Sequence, residues 1–193
     1  MKIIKYFTLF FLLQGCSSNY EWGWYILSPN NVEGLTNLKF LISGITTTIY
    51  ISVISIVLAM IIGLIVALPS LSNNKLLSYF NITYVEIVRA IPLLVLILWI
   101  YYGLPIMMGV SFSPFVSGII ALTISESAFQ AEIFRAGINS ISKGQHEVAG
   151  SLGMDFWKKM RFVILPQAIK VVLPALGNQF VYVLKMSSLV SII

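Results

Sequence analysis

Long uncharged apolar stretches, separated by short polar or charged segments, are the main pattern of this chain. The first stretch runs over residues 41–68 without a charge and is followed by Pro69. Since about 20 apolar residues cross the hydrocarbon core as a helix, this stretch predicts one membrane-spanning helix. Its serine and threonine residues favour a face that packs against other helices rather than against lipid.

The second apolar stretch, residues 90–125, is too long for a single span. Pro105, Gly109 and Pro114 divide it, because proline and glycine are the residues that most often interrupt regular structure. The turn between the two parts carries no charge. The predicted elements are a second helix over about 83–108 and a third over about 114–134.

The fourth apolar region starts after Pro166 and continues to the last residue, interrupted by Pro174, Gly177 and Lys185. It stops within an apolar run with no polar tail, so we interpret the sequence as truncated. Together these regions predict an all-α membrane protein, a multi-span helical bundle with about four spans present.

The first 15 residues have the pattern of a targeting segment. Two lysines precede an apolar core that is too short to span a membrane but suits a signal segment. The run Leu13-Gln14-Gly15-Cys16 resembles the lipobox of bacterial lipoproteins, which implies lipidation of Cys16. An uncleaved segment lying at the membrane interface is the alternative. The predicted organisation is a signal-like segment over 1–15, an external segment over 16–40 and a transmembrane domain over 41–193.

Composition supports a membrane protein and excludes several kinds of site. The chain is 58% hydrophobic and only 10% charged, whereas a soluble domain carries about 25% charged residues. One cysteine and one histidine rule out an internal disulfide and make a zinc cluster improbable. The sequence contains no phosphate-binding loop of the G-x-x-x-x-G-K-[ST] type, so the driving energy must come from ions or from a partner.

The positive charges are concentrated in one stretch between apolar regions. Under the positive-inside rule this stretch, together with the turn near Lys75 and Arg89, is cytoplasmic. The uncharged turn at Gly109 and the mature N-terminus are then outside, and nucleic-acid binding is set aside. Six of the twelve basic residues lie in the stretch: Arg135, Lys143, Lys158, Lys159, Arg161 and Lys170.

The same stretch contains the most informative motif. Glu147-Val148-Ala149 is followed after three residues by Gly153 and, nine residues later, by Val163-Ile164-Leu165-Pro166. This spacing resembles the EAA loop of ABC importer permeases, with valine at two positions where alanine and isoleucine are usual. The predicted loop covers about residues 136–166.

The resemblance implies a cytoplasmic coupling helix that docks onto a separate ATPase subunit. Gly153 is predicted to supply a left-handed turn, and Pro166 to fix where the next helix starts. The candidate coupling residues are Glu147, Val148, Ala149, Gly153, Leu165 and Pro166. The alternative for residues 155–159 is an ordinary amphipathic helix at the membrane surface.

Flanking residues resemble the polar amino acid permeases of the histidine/glutamine type. They include 131–138, 144–145, 152–154, 163–168, Asn178-Gln179-Phe180 and Ser188-Leu189. The resemblance covers about residues 35–193 and implies a type I importer fold, with a fifth helix after Ser188-Leu189. It further implies a bacterial inner-membrane location and a non-catalytic subunit without a cofactor, since ATP and magnesium belong to the ATPase. The implied partners are ATPase subunits, a second permease copy or paralogue, an extracytoplasmic amino-acid-binding protein and membrane lipid.

Glu126 is an ionisable residue within the third predicted span. Such a residue costs about 2.5–3.5 kcal/mol on insertion scales, so it must face protein or water. Ser127 lies beside it, and Gln130 shares its helix face four residues on. We predict that Glu126, Ser127 and Gln130 line the substrate path. The structural alternative is that Glu126 pairs with Lys185, or is neutral, and holds helices together.

Three other functions compete with amino-acid import. An ABC permease for another small solute, such as an osmolyte, metal chelate or anion, fits the loop equally well. An ion-coupled secondary carrier requires internal repeats, and the halves of this chain show no similarity to each other. A structural lipoprotein leaves the loop pattern unexplained.

Overall fold

The computed structural model describes residues 23–71 and 75–193, and within those ranges the chain forms helices and turns without a strand. The all-α membrane fold predicted from the sequence is confirmed. The signal-like segment and Cys16 lie outside the described residues. The chain divides into two compact units at Ile45/Thr46.

The described part of the first unit contains a short 3₁₀ turn, Trp24–Leu27, and the start of helix α1, Val32–Ala67. Asn37 donates a hydrogen bond from Nδ2 to the carbonyl oxygen of Ile26 at 2.9 Å, which ties the turn to the helix. The helix begins at Val32, nine residues before Leu41, and its first turns mix apolar residues with the charged Glu33 and Lys39.

The predicted second helix is in fact broken. Helix α2, Lys75–Ala90, ends before Pro92, and helix α3, Leu93–Leu98, follows after a bend of 93°. A residue before proline is sterically driven out of the α conformation, and this explains the break at Ile91. The chain then continues through a π-helical turn, Trp99–Gly103, into helix α4, Leu104–Met108.

Two prolines lie inside continuous helices, and one of them, Pro166, was predicted to mark a helix start. Pro105 follows the π turn Trp99–Gly103, and Pro166 follows a second π turn, Met160–Ile164. In each case the residue before the proline bonds five residues back, and the wider turn accommodates a ring that clashes with a regular α-helix.

The last apolar region is accordingly longer than predicted. It begins with helix α7, Phe156–Lys159, and passes through the second π turn into helix α8, Leu165–Met186. Pro174 lies inside α8, which is not interrupted there or at Gly177. A 3₁₀ segment, Ser187–Ile192, follows.

Helix α5, Pro114–Asn139, lies at the centre of the second unit. Ser113 caps its first turn by accepting a hydrogen bond from the backbone of Val116, and the helix extends five residues beyond Phe134. Its middle is buried almost all round by α2, α3 and α8. Because this helix is covered by protein, it can carry polar residues that a lipid-facing span cannot.

Small residues allow close helix contact with α5. Ser52, Ser55, Ala59 and Gly63 form a buried stripe on α1, which confirms the predicted packing face for its serines. A Cβ on Gly63 would lie 2.9 Å from the backbone oxygen of Ser127, so only glycine permits this approach.

Length and hydropathy identify two described helical segments able to cross a membrane, Val32–Ala67 and Phe156–Ile192. The bent pair Asn81–Ala90 and Leu93–Met108 supplies a third if it acts as one span. Helix α5, with 26 residues, is long enough but more polar, as its central position allows.

Candidate functional site

The three candidate path residues lie together in the middle of α5. The side chains of Glu126, Ser127 and Gln130 are each 0% exposed. Gln130 follows Glu126 by four residues, so the two project from the same side of the helix. The structure thus brings the carboxylate, the hydroxyl and the amide into one buried polar cluster.

Helices α2 and α8 supply the hydrogen-bond partners of this cluster. Gln179 of α8 donates from Nε2 to Glu126 Oε2 at 2.5 Å. The hydroxyl of Ser127 lies 2.7 Å from the hydroxyl of Tyr84 on α2, and it also donates to the carbonyl oxygen of Ile124. The cluster therefore links three helices.

Part of the cluster has no hydrogen-bond partner among the residues that the structure describes. Glu126 Oε1 and both polar atoms of the Gln130 amide are buried and unpaired. A buried polar atom left unpaired costs about 1–3 kcal/mol. These three atoms project from the same side of α5, so this part of the helix carries hydrogen-bonding groups that no described residue satisfies.

The specific pairing of Glu126 with Lys185 is not formed. Lys185 is exposed, and the described partner of the Glu126 carboxylate is the neutral Gln179. Gln179 and Tyr84 were not identified as site residues from the sequence. Neither stands out by pattern, because other polar residues lie close to each in sequence: Asn81, Thr83 and Glu86 near Tyr84, and Asn178 beside Gln179.

The C-terminal end of α5 carries a separate charged group. Arg135 donates from Nε to Glu132 Oε2 at 2.9 Å, and the guanidinium of Arg89 lies 5.0 Å from the ring centre of Phe129. The second contact is a cation–π interaction that holds the end of α2 against α5. The Arg89–Phe129 contact thus holds the end of α2, next to the bend at Pro92, against the central helix.

An apolar groove of about 1030 Å³ lies between α1, α5 and the α7–α8 segment. Its lining includes Leu64, Phe134, Trp157 and Leu173 but none of the three candidate path residues. The buried polar cluster and the groove are therefore separate features of the second unit.

The loop motif forms a helix followed by a tight reversal. Helix α6, Lys143–Ser151, ends with a backbone hydrogen bond from Met154 to Ala149 and another from Gly153 to Gly150. Gly153 has a φ of 72°, which confirms the predicted left-handed turn. Its role in coupling stays a prediction.

Asp155 begins the next helix by accepting a hydrogen bond from the backbone of Lys158 at 2.8 Å. That helix runs on through the π turn into α8. The prediction that Pro166 starts the helix is therefore wrong, and residues 155–159 are the first turn of a long helical segment rather than a separate surface helix.

The candidate coupling residues differ in exposure. Ala149 is buried at 2%, whereas Glu147, Val148, Leu165 and Pro166 are exposed. The buried side packs α6 against the second π turn. Large apolar side chains nearby also face outward: Leu152, Phe156 and Trp157 are 70%, 56% and 77% exposed. An exposed apolar surface of this kind marks a contact with protein or membrane.

Comparison with known proteins gives a consistent result. The family model described as binding-protein-dependent transport system inner membrane component matches residues 56–193. A probable glutamine ABC transporter permease, GlnM of Bacillus subtilis, is 42% identical over 157 residues, which are 81% of this chain and 72% of the relative. A probable amino-acid ABC transporter permease, YckA of the same organism, is 36% identical over 164 residues, 85% of this chain and 72% of the relative.

A solved structure shares the fold over most of its length. The crystal structure of an amino acid ABC transporter with histidines is similar with a TM-score of 0.76 and 42% sequence identity. The similarity covers 84% of this chain and 77% of that chain.

Proposed function

Because this chain belongs to the family of binding-protein-dependent transport system inner membrane components, we propose that it is the permease of an importer for polar amino acids. Support for the substrate class comes from relatives that are named glutamine or amino-acid permeases. An ion-coupled carrier is set aside, because the family works with a binding protein. A permease for another small solute is the alternative.

The buried polar cluster is the observation that carries this proposal. Every amino acid has an α-ammonium group, and Glu126 Oε1 is a buried carboxylate oxygen without a hydrogen-bond partner among the described residues. The Gln130 amide beside it offers both a donor and an acceptor, which suit an α-carboxylate and a polar side chain. In this account Glu126, Ser127 and Gln130 line the path that opens when the helices move.

The energy for transport comes from a separate ATPase subunit that holds ATP and magnesium, and this chain binds no cofactor. We assign docking of that subunit to α6 and the turn after it, with Glu147, Val148 and Gly153 at the contact and with Ala149, Leu165 and Pro166 supporting it from behind. Support comes from the exposed apolar side chains on this surface. A second permease copy or paralogue and an extracytoplasmic amino-acid-binding protein complete the transporter.

The orientation that we propose places α6 in the cytoplasm and the turn at Gly109 outside. The concentration of basic residues around α6 and α7 supports it. A reporter enzyme that works only outside the cytoplasm should be active when fused near Gly109 and inactive when fused near Lys143. The opposite pattern would reverse the orientation.

A reconstitution experiment tests the substrate class. The permease, its ATPase and its binding protein are placed in vesicles, and uptake of radiolabelled glutamine, histidine, arginine, glycine betaine and sulfate is measured with and without ATP. We expect ATP-dependent uptake of at least one polar amino acid. Uptake of betaine or sulfate alone would establish the alternative and overturn the proposal.

A further inference from the structure

One side-chain amide connects the loop helix to the helix that reaches the polar cluster. Gln167, in the first turn of α8, donates from Nε2 to Gln145 Oε1 of α6 at 3.3 Å. The same nitrogen donates to the carbonyl oxygen of Val163 at 2.9 Å. Since a carbonyl oxygen can only accept, the second bond fixes which end of the Gln167 amide faces Gln145.

The other part of α8 carries a second amide contact. Gln179 lies twelve residues after Gln167, which corresponds to about 18 Å along an α-helix. It donates to the buried carboxylate of Glu126 on α5. Helix α8 is continuous between the two glutamines, including the position of Pro174. Helix α8 therefore contacts α6 through Gln167 in its own first turn, and it contacts the polar cluster through Gln179 about 18 Å further along.

We propose that Gln167 is a positioning residue that fastens α8 to the loop helix, so that displacement of α6 moves Gln179 relative to Glu126. This inference rests on the proposed function, because it gives the movement a consequence at the substrate path. When the partner displaces α6, α8 moves with it as a rigid body. Gln179 then changes its position relative to Glu126, and the hydrogen bond between them forms or breaks accordingly. Without the Gln145–Gln167 bond, only the packing of α6 against α7 and the second π turn remains, so α6 shifts further relative to α8.

The chain offers variants that separate this role from simple folding. Gln167→Leu removes both donated bonds, and Gln145→Leu removes the acceptor on α6. Gln145→Glu keeps an acceptor oxygen at the same distance along the side chain, so it should rescue the link. Lys170→Leu is the control, because Lys170 is an exposed polar residue one turn further along the same helix.

The functional measurement is the number of substrate molecules imported per ATP hydrolysed by the complete transporter in vesicles. We expect Gln167→Leu and Gln145→Leu to lower this ratio about two- to tenfold, the range for loss of one hydrogen bond. Gln145→Glu and Lys170→Leu should remain close to the wild type, and the double leucine variant should be no worse than Gln167→Leu. Equal ratios in all variants, or an equal loss in the Gln145→Glu variant, would overturn the proposal.

A second measurement needs no substrate, and it separates failure of this inference from failure of the proposed function. Spin labels are attached at Lys143→Cys on α6 and Lys170→Cys on α8, in a Cys16→Ser background, within the complex with its ATPase. The distribution of distances between the two labels should be narrow in both the ADP and the ATP state. In the Gln167→Leu variant this distribution should broaden in the ATP state. An unchanged distribution in that variant would refute the link, whichever solute the transporter carries.

Discussion

The buried cluster on α5 and the exposed loop around α6 reverse the usual distribution of polar and apolar groups. At the cluster, Glu126, Ser127 and Gln130 are wholly buried, and several of their polar atoms have no described partner. At the loop, Leu152 and Trp157 present large apolar surfaces outward. The buried cluster has polar atoms without described polar partners, and the loop has apolar side chains that this chain leaves exposed.

The difference shows where function must be completed from outside the chain. A buried carboxylate oxygen without a described partner is satisfied by another polar group, and under the proposed function that group belongs to the transported solute. An exposed apolar turn is covered by protein or by membrane, and under the proposed function the ATPase covers it. Under the proposed function, the two regions therefore bind two different partners, a solute and an ATPase.

The largest effect is expected where the buried region is closed by direct helix contact. Gly63→Leu places a side chain 2.9 Å from the backbone of Ser127, and backbone atoms cannot move aside. Overpacking of this kind costs about 1–3 kcal/mol or more, so little folded protein should be recovered. Thermal unfolding of the detergent-purified protein measures the loss.

Gly44→Leu is the matched control for this change. It is a glycine of the same helix, and a Cβ there meets no atom within 4 Å. We expect its unfolding midpoint to match that of the wild type. Equal stability of the two variants would show that α1 and α5 do not depend on close contact.

A smaller effect, confined to coupling, is expected at the loop turn. Gly153→Val forces a β-branched residue to a φ of 72°, a strain of about 1–3 kcal/mol. The protein should still insert and assemble, but substrate-stimulated ATPase activity should fall about tenfold or more. Gly144→Ala, in α6 with open space around its Cβ, should leave the stimulation unchanged. Normal stimulation in the Gly153→Val variant would remove the coupling role of this turn.

A still smaller effect is expected from the exposed apolar surface of the loop. Leu152→Ser removes an apolar side chain that is 70% exposed in this chain, so the folded permease should keep its stability. Its affinity for the ATPase should fall about three- to tenfold, because burial of part of a leucine side chain contributes about 1 kcal/mol, compared with about 1.5–3 kcal/mol for full burial. Val110→Ser, at an exposed apolar position far along the chain from the loop, is the control. Equal affinities in a titration of the two variants would place the contact elsewhere.

The sequence predicted the helical class and the turn at Gly153, because both depend on local patterns. Long uncharged runs require helices in a bilayer, and a glycine at a fixed spacing after a short helix suits a left-handed turn. Burial of Glu126 was predictable for the same reason, since an ionisable residue within a span must be covered.

The breaks and partners were harder to predict. The proline pattern indicated a helix start at Pro166 and an interruption at Pro174, yet the helix continues through a π turn to Pro166 and is unbroken at Pro174, while the real break lies at Pro92. The partner of Glu126 could not be read from charge, because it is the neutral Gln179 on a helix 53 residues away in sequence. Tertiary contacts of this kind leave no local signal.

The most direct test of the account is transport by the Glu126→Gln variant. The change keeps the shape of the side chain and its acceptor oxygen while it removes the charge that would hold an α-ammonium group. ATP-dependent uptake of the amino acid should fall about fivefold, since a hydrogen bond to a charged group is about twice as strong as a neutral one. Complex assembly and basal ATPase activity should remain as in the wild type. Unchanged uptake, or a complex that falls apart, would show that Glu126 holds helices together and does not line the path.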